Sequence, residues 1–488
     1  MAYFDGIYFH SKGTLSMPVK IMGKFGFLAV VLALINGLGC QSGSNKQELV
    51  AEPTASLRPA LKIWIVDASE IEREILVRWQ AASDQALQIE HVPAARIATR
   101  EPFNADIVIY PGVLLGDLVQ KQAIGRLPIQ AIAKRLTQAA DLGTSESGVD
   151  SWPPRWRSIV TYGGQIYAVP LGAPKLGAVM LGLDSGPLKV LDSLLSNTRD
   201  LDSQSMEQWT LFLDQAETVL ATSLDERRKT LEDCLSKIKP EEKAWVVDRF
   251  LFIASTTNAR SRGLFDLVKM EARLNQPDFS NSARVLSRMA HLFPETIAVE
   301  FTNAWDMVLS STHVAATFAV GWPSSINRTV SDASSKSSGK VEVAALAWNP
   351  VRGLIASVGK KTRQTAVSCQ FLVWLSEPEQ REALRAVFSG IELTAEQSDR
   401  NSVRDDYRAF QAINRRDLRV EPMELSLRMA NANQYRAILA DCLIALIRQP
   451  DQTDSIMASC SLQWDQLTVK LGIETQRISE EQSLGYRK

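Results

Sequence analysis

Ala105-Asp106-Ile107-Val108-Ile109-Tyr110-Pro111-Gly112 carries the pattern on which the fold turns. Ile107 to Tyr110 is a short, unbroken apolar run of β-branched and aromatic residues. Such a run reads as a strand covered on both faces, as in a parallel sheet. It ends at Pro-Gly, a turn signal, and leaves a tyrosine at the strand's exit. Two readings of Tyr110 stand. It is the last aromatic of a core with a plain turn behind it, or it faces the rim of a cleft.

Upstream, Leu61-Lys-Ile-Trp-Ile-Val66 alternates and is a first strand. Asp67 or Ser69 suits the cap of a helix. From Glu70 to Ala82, Ile71, Ile75, Leu76 and Trp79 share one helical face, and Leu87–Val92 alternates again as a second strand. Downstream, Leu114, Leu115, Leu118, Val119 and Ile124 recur at helical spacing. Strand, helix, strand, strand, helix at these lengths opens an α/β sheet with parallel strands. Ligands of such sheets bind beyond the carboxyl ends of the strands. Asp67 and Tyr110-Pro111-Gly112 occupy that position.

Farther along, Tyr162-Gly163-Gly164-Gln165 predicts a tight hairpin, with the two glycines supplying positive φ. Residues 188–300 are mostly helical. One stripe holds Trp209, Phe212, Leu213, Ala216 and Leu220, another Trp245, Arg249, Phe250 and Ile253, and a third Val285, Leu286, Met289 and Leu292. Stripes of this kind are core more often than ligand boxes. Val314–Val320 is a strand ending in Gly321-Trp322-Pro323, again an aromatic beside proline at an exit. Strands follow at Val341–Trp348 and Leu354–Val358. Helices are expected over Thr362–Leu375, 379–388, 403–413 and 426–449, with a polar, frayed tail after 472.

At 488 residues and 45% hydrophobic content the chain is long enough for two or three cored lobes. A net charge of -1 and the lack of a basic run argue against nucleic acid as a partner. With 4 His and 5 Cys, and no C-x-x-C or H-E-x-x-H, a zinc site or a His-based catalytic centre has little support. No G-x-S-x-G elbow occurs. Gly353–Thr362 is a near miss to a phosphate loop, with one residue too many between its glycines and Lys361 in the Ser/Thr position. His91, His291 and His313 read as structural or surface residues.

The N-terminus carries an export pattern. Lys20 and Lys24 precede the apolar run Phe25–Ile35, then Asn36-Gly-Leu-Gly-Cys40 and polar residues from Gln41. A permanent membrane anchor is the alternative, but the Gly- and Asn-rich second half favours cleavage. Met17 and Met22 are alternative starts. Residues 1–40 are thus expected to be a signal peptide and 41–60 a flexible tether. In an oxidising space Cys442 and Cys460 pair, or Cys234, Cys369, Cys442 and Cys460 stay isolated thiols; sequence leaves both open.

Taken in order, four segments resemble the extracellular solute-binding proteins of ABC importers, the class that includes maltose-binding protein. They are the export signal with its cysteine followed by Leu61–Val66; Asp106-Ile-Val-Ile-Tyr-Pro with Leu114–Pro128; Tyr162-Gly-Gly-Gln-Ile-Tyr-Ala-Val-Pro170; and Val314–Pro323 with Leu354–Val358 and Ala366–Glu379. Gly39-Cys40 resembles a bacterial lipobox, although Gly37 and Leu38 depart from the usual residues.

The resemblance implies an α/β, two-lobed periplasmic-binding-protein-like fold (type II) with the ligand cleft between lobes. Lobe one would hold 61–168 plus 350–400, and lobe two 172–348 plus 405–488. Carried over residue by residue, the binding positions are Asp67, Ala68, Tyr110, Pro111, Gly172, Ala173, Pro174 and Trp322. Arg155 and Trp156 are weaker candidates. Cys40 would carry the lipid. The implied partners are a small solute, a carbohydrate above all, an ABC importer permease and the membrane at the lipid anchor. A monomer needing no cofactor and performing no covalent chemistry is expected. A lipid-anchored interaction or sensory protein on the same fold, and an exported hydrolase, are the rival classes.

Overall fold

The computed structural model describes residues 59–98, 103–128, 154–171, 175–182, 201–240, 242–257, 263–299, 307, 317–321, 340–348, 353–388, 425 and 427–486. Along the chain, β1 (Leu61–Val66), α1 (Glu72–Ala82), β2 (Leu87–Val92), α2 (Ala94–Ala98), β3 (Ile107–Pro111) and α3 (Leu115–Gln120) lead to α4 (Pro154–Val160). A small hairpin, β4 (Thr161–Tyr162) and β5 (Gln165–Ile166), precedes β6 (Ala168–Pro170). Then come β7 (Lys175–Gly182), α5 (Leu201–Leu220), α6 (Leu224–Lys237), α7 (Lys243–Ser255), α8 (Pro277–Leu292), β8 (Thr317–Gly321) and β9 (Lys340–Trp348). The chain closes with β10 (Leu354–Val358), α9 (Thr365–Leu375), α10 (Pro378–Val387), α11 (Ala432–Arg448), α12 (Thr453–Leu471) and α13 (Ile473–Ser483).

The first sheet has the order β2-β1-β3-β10-β6. β1 pairs parallel with β2 and with β3, while β10 pairs antiparallel with β3 and with β6. Every residue of β3 is buried, because strands flank it and helices cover both its faces. The strand runs one residue past Tyr110. Pro111 has no N–H to give, and the Gly112 N–H resumes the pairing by donating to the Gly353 carbonyl at 2.9 Å. Trp79 of α1 sits edge-on to Phe371 and Trp374 of α9, with ring centroids 5.0 Å apart in each case. These rings and the sheet make one hydrophobic core, drawn from 61–171 and 354–384.

A second core gathers residues from 209–318 and 425–467. Trp209, Phe212, Leu213, Ala216 and Leu220 are all buried in it, as are Val285, Leu286, Met289 and Leu292, so the helical stripes are core. Pro277 opens α8 at its first turn, where the missing N–H is no loss. Three antiparallel strands in the order β8-β7-β9 belong to this half, with Phe318 of β8 in its core. Cys442 and Cys460 meet across the α11–α12 hairpin as free thiols; Cys234 and Cys369 are free as well.

Three expectations need correction. The helix foreseen over 426–449 begins only at Ala432, because the residues just before it are a bend and turn that end in Asn431 at φ 64°. The tail after 472 is the ordered helix α13, with Gln476, Ser479, Glu480 and Ser483 buried. No side chain caps α1; the Asp67 carboxylate instead accepts from the Ala94 N–H at 3.1 Å. The hairpin does turn on Gly163 and Gly164, at φ 54° and 67°, values that favour glycine.

Candidate functional site

A cleft of about 600 Å³ lies between the two cores, within the range of small-molecule sites. One wall is made at the carboxyl ends of the first three strands: Asp67 to Glu70 after β1, Pro93 to Ala95 after β2, and Pro111 at the end of β3 with Leu114 beyond it. Leu354 joins them because β10 runs antiparallel and starts where β3 ends. The opposite wall comes from the second core, with Ala244 and Trp245 at the start of α7 and Asn433 and Arg436 in the first turns of α11.

The wall residues are held from behind. Asp67 adopts φ 51°, a left-handed conformation that Asp tolerates better than most, and its bond to Ala94 ties the first strand exit to the second. His91 Nε2 pairs with the Glu72 carboxylate. Beside it, Trp64 Nε1 donates to Glu90 Oε2 at 2.8 Å, and the Arg96 hydrogen bond to Glu90 holds that carboxyl below the usual range.

Across the cleft, the guanidinium of Arg436 pairs with Asp248 of α7, both nearly buried. Lys243 Nζ reaches Asp441 Oδ1 at 2.7 Å. Together these contacts lock α7 to α11, which carry Trp245 and Asn433 into the same cleft wall. Arg249 donates to the Val299 carbonyl at 2.6 Å and to the Trp245 carbonyl at 3.3 Å, and burial pushes its guanidinium down to about 9.

Of the residues expected to bind, Asp67, Ala68 and Pro111 line this cleft. Tyr110 does not, which corrects the position carried over for it. Its ring is fully buried in the first core, its hydroxyl bonds Ser357 Oγ at 2.8 Å, and burial pushes the phenol up. Trp156 is likewise a core residue, with the Arg381 guanidinium over its ring at 4.7 Å. Gly172, Ala173, Pro174, Trp322 and Cys40 lie outside the described residues.

Trp245, Asn433 and Arg436 were not foreseen. Trp245 stood in a stripe read as core, and Asn433 and Arg436 fall three apart at a helix start. The near miss to a phosphate loop is a structural corner. Gly359 packs on the Ala105 main chain, and Lys360 Nζ donates to Gln122 Oε1 at 2.9 Å. Among the described residues no group of three or more His, Cys, Asp or Glu could hold a metal ion, and no helix is long and apolar enough to cross a membrane.

The arrangement can bind. It offers an aromatic face, carboxylates, an amide and a guanidinium around a space of small-ligand size. No family model matches the sequence, and no curated protein matches it. Solved structures do match the fold. An ABC transporter solute-binding protein from Agrobacterium radiobacter K84, in complex with ribitol, aligns with a TM-score of 0.53 at 13% identity over 84% of this chain and 99% of its own. Maltose-bound MalE3 of T. maritima aligns at 0.53 and 12%, over 84% and 100%. The sugar-binding protein MalE from Xanthomonas citri aligns at 0.54 and 13%, over 84% and 98%. The chain therefore has the two-lobed α/β fold of solute-binding proteins, as the motif order had implied.

Proposed function

We propose that the chain is an extracytoplasmic solute-binding protein that captures a small carbohydrate or polyol and delivers it to an ABC importer. One observation carries the reading. The cleft takes its two walls from two separate cores, in a fold shared along 84% of the chain with proteins described with ribitol and maltose. A ligand bridging both walls favours the conformation in which they approach, so binding and lobe closure are one equilibrium. Trp245 would stack on a sugar face. Asp67 and Asn433 would bond hydroxyls, with Arg436 held in place by Asp248. No covalent step is needed. In this reading the mature chain is a monomer tethered to the membrane surface by a lipid on Cys40.

The test is a thermal-shift screen with ribitol, mannitol, maltose and other sugars, set against amino acids, peptides and polyamines. A ligand at a hundredfold its Kd adds about 2.7 kcal/mol, so a true solute raises the melting temperature clearly. Trp245→Ala is expected to weaken that ligand about tenfold in a titration. A folded sample that no sugar or polyol stabilises sinks the reading.

A further inference from the structure

The buried face of α13 is polar throughout: Gln476, Ser479, Glu480 and Ser483, at i, i+3, i+4 and i+7. It lies where the two halves meet. From the first half, the Tyr162 hydroxyl bonds Ser479 Oγ at 2.6 Å and donates to the Ser479 carbonyl at 3.0 Å. The Gly163 N–H donates to the Gln482 carbonyl at 3.0 Å. From the turn before α11, the Ala430 N–H donates to Ser479 Oγ at 2.7 Å. Arg428 forks between the halves, giving Nη2 to the Ser483 carbonyl at 2.7 Å and Nη1 to the Ser158 carbonyl of α4 at 2.8 Å. Next to this the Asn431 N–H donates to Asp117 Oδ1 of α3 at 2.7 Å.

The contacts named at this junction are hydrogen bonds, each worth little net of water. Several of its polar atoms also have no hydrogen-bond partner among the described residues: both amide atoms of fully buried Gln476, and Arg428 Nε. Glu480 sits in the middle, with Ser483 Oγ donating to its Oε2 at 3.0 Å.

We propose that α13 is a proton-sensitive clamp across the two halves, with Glu480 as the group whose ionisation loosens it. Burial pushes the Glu480 carboxyl up to about 7, against the downward pulls of Ser483 and the Arg428 guanidinium. The charged and titratable groups around it are Arg428 from the segment before α11, Tyr162 and Asp117 from the first half, and Tyr435 of α11 with Asp465 beyond it. Arg428 is the one cation among them. Burial holds both tyrosines neutral, at about 12, and raises Asp117 as well. A released α13 returns Glu480 to its ordinary value of 4.5. The docked helix therefore binds the proton more tightly. Its extra stability is complete below the ordinary value, falls as pH rises through the interval, and is gone above about 7.

The test is hydrogen exchange of the α13 amides in the full chain from pH 5 to 8, corrected for intrinsic rates, with no ligand needed. The expected wild-type result is protection that falls roughly tenfold per pH unit up to about 7 and then levels. Glu480→Gln, a neutral isostere, is expected to remove most of that slope. Ser483→Ala, which deletes a bond to the carboxylate, is expected to move the levelling-off above pH 7. Wild-type protection equal at pH 5 and 7 overturns the proposal. So does a slope that survives Glu480→Gln but is lost in Asp117→Asn.

Discussion

The bond between the Tyr110 hydroxyl and Ser357 Oγ joins β3 to β10 inside the first core at 2.8 Å. Neither group has water to fall back on. Tyr110→Phe is expected to leave Ser357 unpaired and to cost about 1 kcal/mol in a denaturant titration, with ligand affinity unchanged. An affinity loss would return the ring to the cleft. The sequence shows why this side chain was hard to place. Successive residues of a strand point to opposite faces, and alternation normally tells them apart. A strand apolar on both faces has none, so Tyr110 and Pro111 were indistinguishable until the neighbours were known; Pro111 reaches the cleft and Tyr110 does not. Trp245 was read as core, and it does pack partly against the second core; what periodicity could not say is that its place in the first turn of the helix also lets it line the cleft.

At the level of elements, α3 bears directly on the irregular segment before α11. A Cβ added at Gly116 would lie 2.0 Å from the Arg428 carbonyl oxygen and 2.9 Å from the Met429 carbonyl carbon. These are main-chain atoms, which cannot swing aside. Gly116→Ala is expected to lower stability by about 1–3 kcal/mol, read from the melting transition, and to raise exchange at α13 with it. Most elements were legible. β1 and β2 stand out by alternation, β3 and β10 as short apolar runs, and α5 and α8 as amphipathic stripes. α13 was not, since Ile473 to Ser483 is mostly polar, with Ile473 and Ile478 its only apolar residues. Hydropathy reads such a segment as solvated, whereas its buried face is satisfied by hydrogen bonds that only the fold brings within reach.

For the molecule as a whole, the two-core plan and the cleft at the strand ends were both readable from the order of parts. That Trp245 and Asp67 would line the same cleft was not, because no local pattern relates them. If a solute draws the walls together, small-angle scattering should give a smaller radius of gyration with ligand than without. An unchanged value at saturation would mean binding without closure.

The position of β10 has a consequence for how the chain is made. Tyr110 and Ser357 are 247 residues apart, yet β10 lies between β3 and β6. Until the ribosome has synthesised residue 358, β3 and β6 have no partner between them and the first sheet is left with bare edges. Completion of that half waits for most of the other half to be translated. Such long-range pairing is slow to form, and an unfinished sheet edge invites association with other chains. A nascent polypeptide of this topology carries an incomplete first sheet late into synthesis and calls for chaperone cover until its last strands emerge.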